Sequence, residues 1–123
     1  MSRSISGSRP AVLVVEDEAL ARLNALDIVE AAGFEAVSAS NADEAIHVLE
    51  TRDDIRAVFT DVQMPGSMDG LGLIRLMQDR WPAVAALVTS GGTNIADLPG
   101  GVRFLAKPYL PRQIEAALYK LIA

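Results

Sequence analysis

The chain has 123 residues, half of them hydrophobic, 22% charged and 5% aromatic, with a formal net charge of −5. That length suits one compact domain around one core, and ordinary glycine and proline usage excludes collagen-like and broadly disordered classes. With no cysteine, a lone His47 and a negative balance, the chain offers no thiolate chemistry, no His-rich zinc site or Ser-His-Asp triad, and no general attraction to nucleic acid or an anionic membrane.

Residues 1–10 alternate Ser2, Ser4, Ser6 and Ser8 with Arg3, Ile5, Gly7 and Arg9, and read as a flexible tail. No signal-peptide core follows. No apolar run approaches the ~20 residues that span a bilayer, so a cytoplasmic location is expected. Residues 11–123 read as one domain. Val12-Leu13-Val14-Val15 is a continuous run suited to a strand buried on both faces. Leu20, Leu23, Leu26, Ile28, Val29 and Ala32 then form a broad helical apolar stripe, closed by Gly33. A short strand follows over residues 34–38, and Asn41 with Glu44 resembles a capping box opening a second helix.

A third strand over residues 57–60 runs into Asp61. A third helix carries Leu71, Leu73, Ile74, Leu76 and Met77 and stops at Trp81-Pro82. Residues 85–89 and 102–105 are the fourth and fifth strands. A last helix begins near Pro111 with Ile114, Ala117, Leu118, Leu121 and Ile122 inward. Between the last two strands only residues 93–98 have room to be helical, so the fourth helix is expected to be short or absent. The alternation predicts an α/β domain, a parallel sheet with helices on both faces.

In such sheets the ligand site lies at the carboxyl ends of the strands. Glu16 and Asp17 end the first strand, Asp61 the third and Thr89-Ser90 the fourth, and the fifth runs into Lys107-Pro108. Singly, the acidic residues read as helix caps, Asp61 as a turn residue and Lys107 as a solvated charge. Together, Glu16, Asp17, Asp61 and Lys107 carry a formal −2, and their oxygens and charge suit Mg²⁺, with Mn²⁺ as the alternative. An aspartate beside a divalent cation and a lysine is equipped to attack a phosphoryl group, with the Thr89 hydroxyl completing the anion's surroundings.

VEDE at residues 15–18, DVQMPGSMDG at 61–70, VTS at 88–90 and KPY at 107–109 resemble, in order and each at a strand end, the receiver domain of two-component response regulators. The resemblance spans residues 11–123. It implies a doubly wound, flavodoxin-like sheet of order 2-1-3-4-5, and phosphorylation of Asp61 by a sensor histidine kinase or a histidine phosphotransfer protein. It implies Mg²⁺ held by Asp17, Asp61 and the Gln63 backbone carbonyl, with Glu16 acting through water. Thr89 and Phe104 would be switch residues, Lys107 would contact the phosphoryl group, and Lys107-Pro108 would be cis. No reaction is expected beyond its own phosphorylation and dephosphorylation.

Departures from the family pattern are Glu16 in place of aspartate, one extra residue in MPGSMDG, Phe104 where tyrosine is frequent, and a short interval from Thr89 to Lys107. The last argues against carrying over the family's usual dimer. The chain reads as a stand-alone receiver whose output is an unknown downstream protein, or a phosphate sink. The alternatives are a phosphorylation-independent pseudo-receiver, a flavodoxin-like cofactor binder and a piece of a hybrid kinase.

Overall fold

The computed structural model describes residues 9–64, 66, 68–91 and 101–122. Five parallel strands, β1 (Ala11–Val15), β2 (Glu35–Ala39), β3 (Ile55–Asp61), β4 (Ala85–Ser90) and β5 (Val102–Ala106), stand in the order β2-β1-β3-β4-β5. Four helices pack on them: α1 (Ala19–Ala31), α2 (Ala42–Thr51), α3 (Gly70–Arg80) and α4 (Pro111–Ile122). The central strands are covered on both faces, which is why β1 is buried at every position and reads as an unbroken apolar run.

Side chains alternate between two apolar layers. Leu13, Val15, Val58 and Val88 face α2 and α3, where Leu49, Leu73, Ile74 and Met77 close the packing. Val12, Val14, Phe59 and Leu87 face α1 and α4, against Val29, Ile114 and Leu118. Asp61 pairs with Thr89 at the carboxyl ends of β3 and β4. Both lie two residues beyond Phe59 and Leu87, so they share the α1/α4 face.

Helix ends follow local chemistry. Asn41 caps α2, its Oδ1 accepting from the Glu44 N–H at 2.8 Å. The return arm of the expected capping box moves back one residue, because Glu44 Oε1 accepts from both the N–H and the hydroxyl of Ser40. Gly33 ends α1 with φ 100°, the left-handed conformation that favours glycine. The guanidinium of Arg80 lies 4.4 Å over the Trp81 ring just past α3, and His47 is exposed on α2.

Three expectations change. The apolar stripe of α1 is wider than its buried face: Ala25 and Val29 pack inward, while Leu20 and Leu23 are 73% and 58% exposed. Residues 9 and 10 are tied down rather than loose. Arg9 donates to Glu30 at 3.1 Å and to the Phe34 carbonyl at 3.3 Å, and the Pro10 carbonyl accepts from the Glu35 N–H. The fourth helix in chain order, α4, is neither short nor absent, having 12 residues. The helix expected to be short between β4 and β5 falls on residues 92–100, outside those described, as does the tail over residues 1–8.

The Glu30 anchor gives a pH prediction. Its carboxylate accepts from the Ala36 N–H at 2.9 Å and pairs with Arg9, and these contacts hold its pKa below the ordinary 4.5. A lowered acid stabilises the fold above its unfolded pKa and loses that contribution as pH falls through the folded value. In denaturant unfolding Glu30→Gln is therefore expected to cost stability at about pH 7, with the difference from wild type shrinking by about pH 3.

Candidate functional site

Three strand ends and one loop build the site. The Lys107 ammonium donates to Asp61 Oδ2 at 2.6 Å, and Asp61 Oδ1 accepts from the Gln63 N–H at 3.2 Å. The Asp61 side chain is only 12% exposed, so its charge is partly shielded from water and the lysine is its main compensation. Burial works against the Lys107 ammonium. The bond to Asp61, with the charges of Asp61 and Glu16, outweighs it and holds the pKa above the ordinary lysine value. The Lys107 N–H donates to the Ser90 carbonyl at 2.9 Å, and Lys107-Pro108 is cis, as expected.

Glu16 sits just beyond β1, half-buried, its Oε2 accepting from the Glu18 N–H at 3.1 Å. Burial is the main reason its pKa is raised. The Glu18 bond and Lys107 oppose the rise, while Asp61 and Asp17 add to it. Asp17 is exposed beside it. Thr89 is buried at 2% exposure, and its carbonyl accepts from the Val62 N–H. Glu16, Asp61 and Thr89 line one small pocket with Phe59, Thr60 and Tyr109. Phe104 is not part of this group. It pairs with Val88 in register and packs half-buried into the α2/α3 layer, on the other face of the sheet from Thr89.

The cap reading of the acidic residues holds for Glu18, while Arg22 and Gly70 were given no role by the sequence. Glu18 is the N-cap of α1, its carboxylate accepting from the Ala21 N–H at 2.7 Å, which leaves Glu16 and Asp17 free of that duty. Arg22 donates to the Glu16 carbonyl at 2.8 Å and braces the loop after β1. Gly70 lets α3 start directly against β3: a Cβ there would overlap the Asp61 carbonyl oxygen and lie 2.9 Å from Val62 Cα. Leu20, Leu23 and Leu110 are large apolar side chains left exposed, at 73%, 58% and 50%. The overwide stripe of α1 was the signal for the two leucines. Nothing local marked Arg22.

The donor set is oxygen only and fits a hard cation better than zinc. Each Asp61 oxygen has an observed donor, and a carboxylate oxygen has a second lone pair to offer. Among the described residues no three His, Cys, Asp or Glu side chains converge into a cage. A hard cation such as Mg²⁺ takes one or two carboxylates and keeps several waters.

A family model described as the response regulator receiver domain matches residues 12–119. The chain belongs to that family, a receiver of two-component signal transduction, whose partner is generically a histidine kinase and whose members catalyse only their own phosphorylation. It is 31% identical over 113 residues to the hydrogenase transcriptional regulatory protein HoxA of Cupriavidus necator, covering 87% of this chain and 23% of that protein. It is 29% identical over 119 residues to the aerobic respiration control protein ArcA of Escherichia coli, covering 93% of this chain and 49% of that protein. The chain thus spans half or less of the length of these relatives. A crystal structure of a response regulator receiver protein from Pseudomonas putida is 32% identical with a TM-score of 0.81, covering 92% of this chain and 98% of that one. Among the described residues no helix is long and apolar enough to cross a membrane.

Proposed function

We propose that this receiver accepts a phosphoryl group on Asp61 from a phosphohistidine, in the cytoplasm, and passes the change on to a downstream protein or acts as a phosphate sink. The observation that carries this reading is the 2.6 Å contact between Lys107 and a largely buried Asp61 at the strand ends, with Thr89 and Glu16 lining the same pocket. An Asp61 oxygen attacks phosphorus. The new P–O bond forms as the donor's P–N bond breaks, and the imidazole leaves with a proton. Water later attacks phosphorus, returning the carboxylate and inorganic phosphate.

Asp17, Asp61 and the Gln63 carbonyl would hold Mg²⁺, with Glu16 acting through water. When bound, Mg²⁺ supplies charge neutralisation for the phosphoryl oxygens. The chain's own residues do the rest. Lys107 offers an ammonium to a second oxygen, and the Thr89 hydroxyl, on the same sheet face as Asp61, offers a donor to a third. Thr89 and Phe104 lie at neighbouring register positions on opposite faces; as a switch pair they would pass movement of Thr89 through β4 and β5 to the other layer.

Beryllofluoride, a phosphoryl mimic, tests the reading. Amide resonances around Asp61, Thr89 and Lys107 are expected to shift in wild type with Mg²⁺, and to stay fixed without Mg²⁺ or in Asp61→Asn. No shift in wild type would favour the alternative, a protein-interaction module that works without phosphate.

A further inference from the structure

Tyr109 is absorbed by neither the expected ligand set nor the switch pair, yet it lines the Asp61 pocket. Its ring packs edge-on against Phe59, with centroids 5.8 Å apart and planes at 63°. Phe59 is 3% exposed and lies two residues before Asp61 in β3, on the same face of the sheet. The residue that Tyr109 touches is therefore fixed to the backbone that carries Asp61. On its other side, Tyr109 is two residues from Lys107.

The chain from 107 to 110 is pinned at three points. The Lys107 N–H bonds to Ser90, Tyr109 rests on Phe59, and the Leu110 N–H donates to Gln113 Oε1 at 2.7 Å. Between these anchors a lysine stem with four rotatable bonds must hold its ammonium 2.6 Å from Asp61. Such a stem loses much rotamer freedom when held, so the anchors decide how much of the time the contact is made.

We propose that Tyr109 is a positioning residue that keeps Lys107 on Asp61, acting through its ring contact with Phe59. The proposal rests on the reading of Asp61 as phosphoacceptor only for its consequence in phosphoryl transfer. The hold on Lys107 is a separate, measurable property.

The chain contains only two lysines, Lys107 and the exposed Lys120, so amine acylation carries its own reference. Brief acetylation with an N-hydroxysuccinimide ester, followed by peptide mass analysis, gives the ratio of Lys107 to Lys120 labelling. Tyr109→Ala is expected to raise that ratio about tenfold, Tyr109→Leu to raise it less, and Tyr109→Phe, which keeps the ring, to match wild type. Phosphoryl uptake from acetyl phosphate is expected to fall about tenfold in Tyr109→Ala, a misplacement effect. It should recover in Tyr109→Phe and show no further loss when Tyr109→Ala is added to Lys107→Ala.

An unchanged labelling ratio in both Tyr109→Ala and Tyr109→Leu would overturn the proposal. So would an uptake loss equally large with Lys107 already removed. If wild type takes up no phosphoryl group, the phosphoacceptor reading fails by itself, and the labelling ratio still decides whether Tyr109 holds Lys107.

Discussion

Lys107→Ala is expected to lower the rate of phosphoryl uptake from acetyl phosphate at least about a hundredfold, the size of effect seen when one preorganised donor is removed from a charge-developing site. The reason is geometric. Lys107 is 2.6 Å from an Asp61 that is mostly shielded from water. Its ammonium is already in place before a phosphoryl group arrives, and costs no reorganisation when the group's charge must be met. Lys107→Arg keeps the charge but replaces a compact ammonium by a planar fork, and is expected to recover only part of the rate. Initial rates measured by mass spectrometry at one acetyl phosphate concentration separate the three proteins. Uptake by Lys107→Ala within tenfold of wild type would show that Lys107 is an ion-pair partner only.

The second large effect is on stability and on the placement of Asp61 together. Gly70→Ala puts a methyl group into the Asp61 carbonyl and against the Val62 Cα, both main-chain atoms that cannot rotate away. The Gly70 N–H also donates to the Val62 carbonyl at 2.8 Å, so α3 cannot retreat without breaking that bond. A loss of about 3 kcal/mol in unfolding free energy is expected, at the upper end for overpacking. Gly72→Ala is the matched comparison two residues on. Its methyl meets the Met68 side chain, which is flexible, and alanine gains in helix propensity. Denaturant unfolding of the two variants should place Gly72→Ala within about 1 kcal/mol of wild type. Equal losses in both would mean that the close approach of α3 to β3 is not what requires Gly70.

Most of the fold was legible because its signals are local. A run such as Val12-Leu13-Val14-Val15 has few ways to be buried on both faces except in the middle of a parallel sheet, and β1 is there. Asn41 and Gly33 mark helix ends through chemistry that acts within a few residues. The site was legible for another reason. Asp61, Thr89 and Lys107 are each polar at the end of an apolar run, and the alternation of elements sends those ends to one edge of the sheet. What was not legible depends on distances between elements. The exposure of Leu20 and Leu23 depends on which face of α1 packs inward, and the hold of Arg9 on Glu30 joins residues 21 apart. The brace from Arg22 to the Glu16 carbonyl and the contact of Tyr109 with Phe59 are likewise tertiary. DG at 69–70 could be read as a cap and a turn. Only the structure shows that the glycine is there because Asp61 passes beneath it.

The most direct test of phosphoryl acceptance at Asp61 is intact mass after incubation with acetyl phosphate, with and without Mg²⁺, for wild type and Asp61→Asn. The expected result is one added phosphoryl group in wild type that requires both Mg²⁺ and Asp61. An adduct of the same extent in Asp61→Asn, or none in wild type at any time sampled, would contradict it.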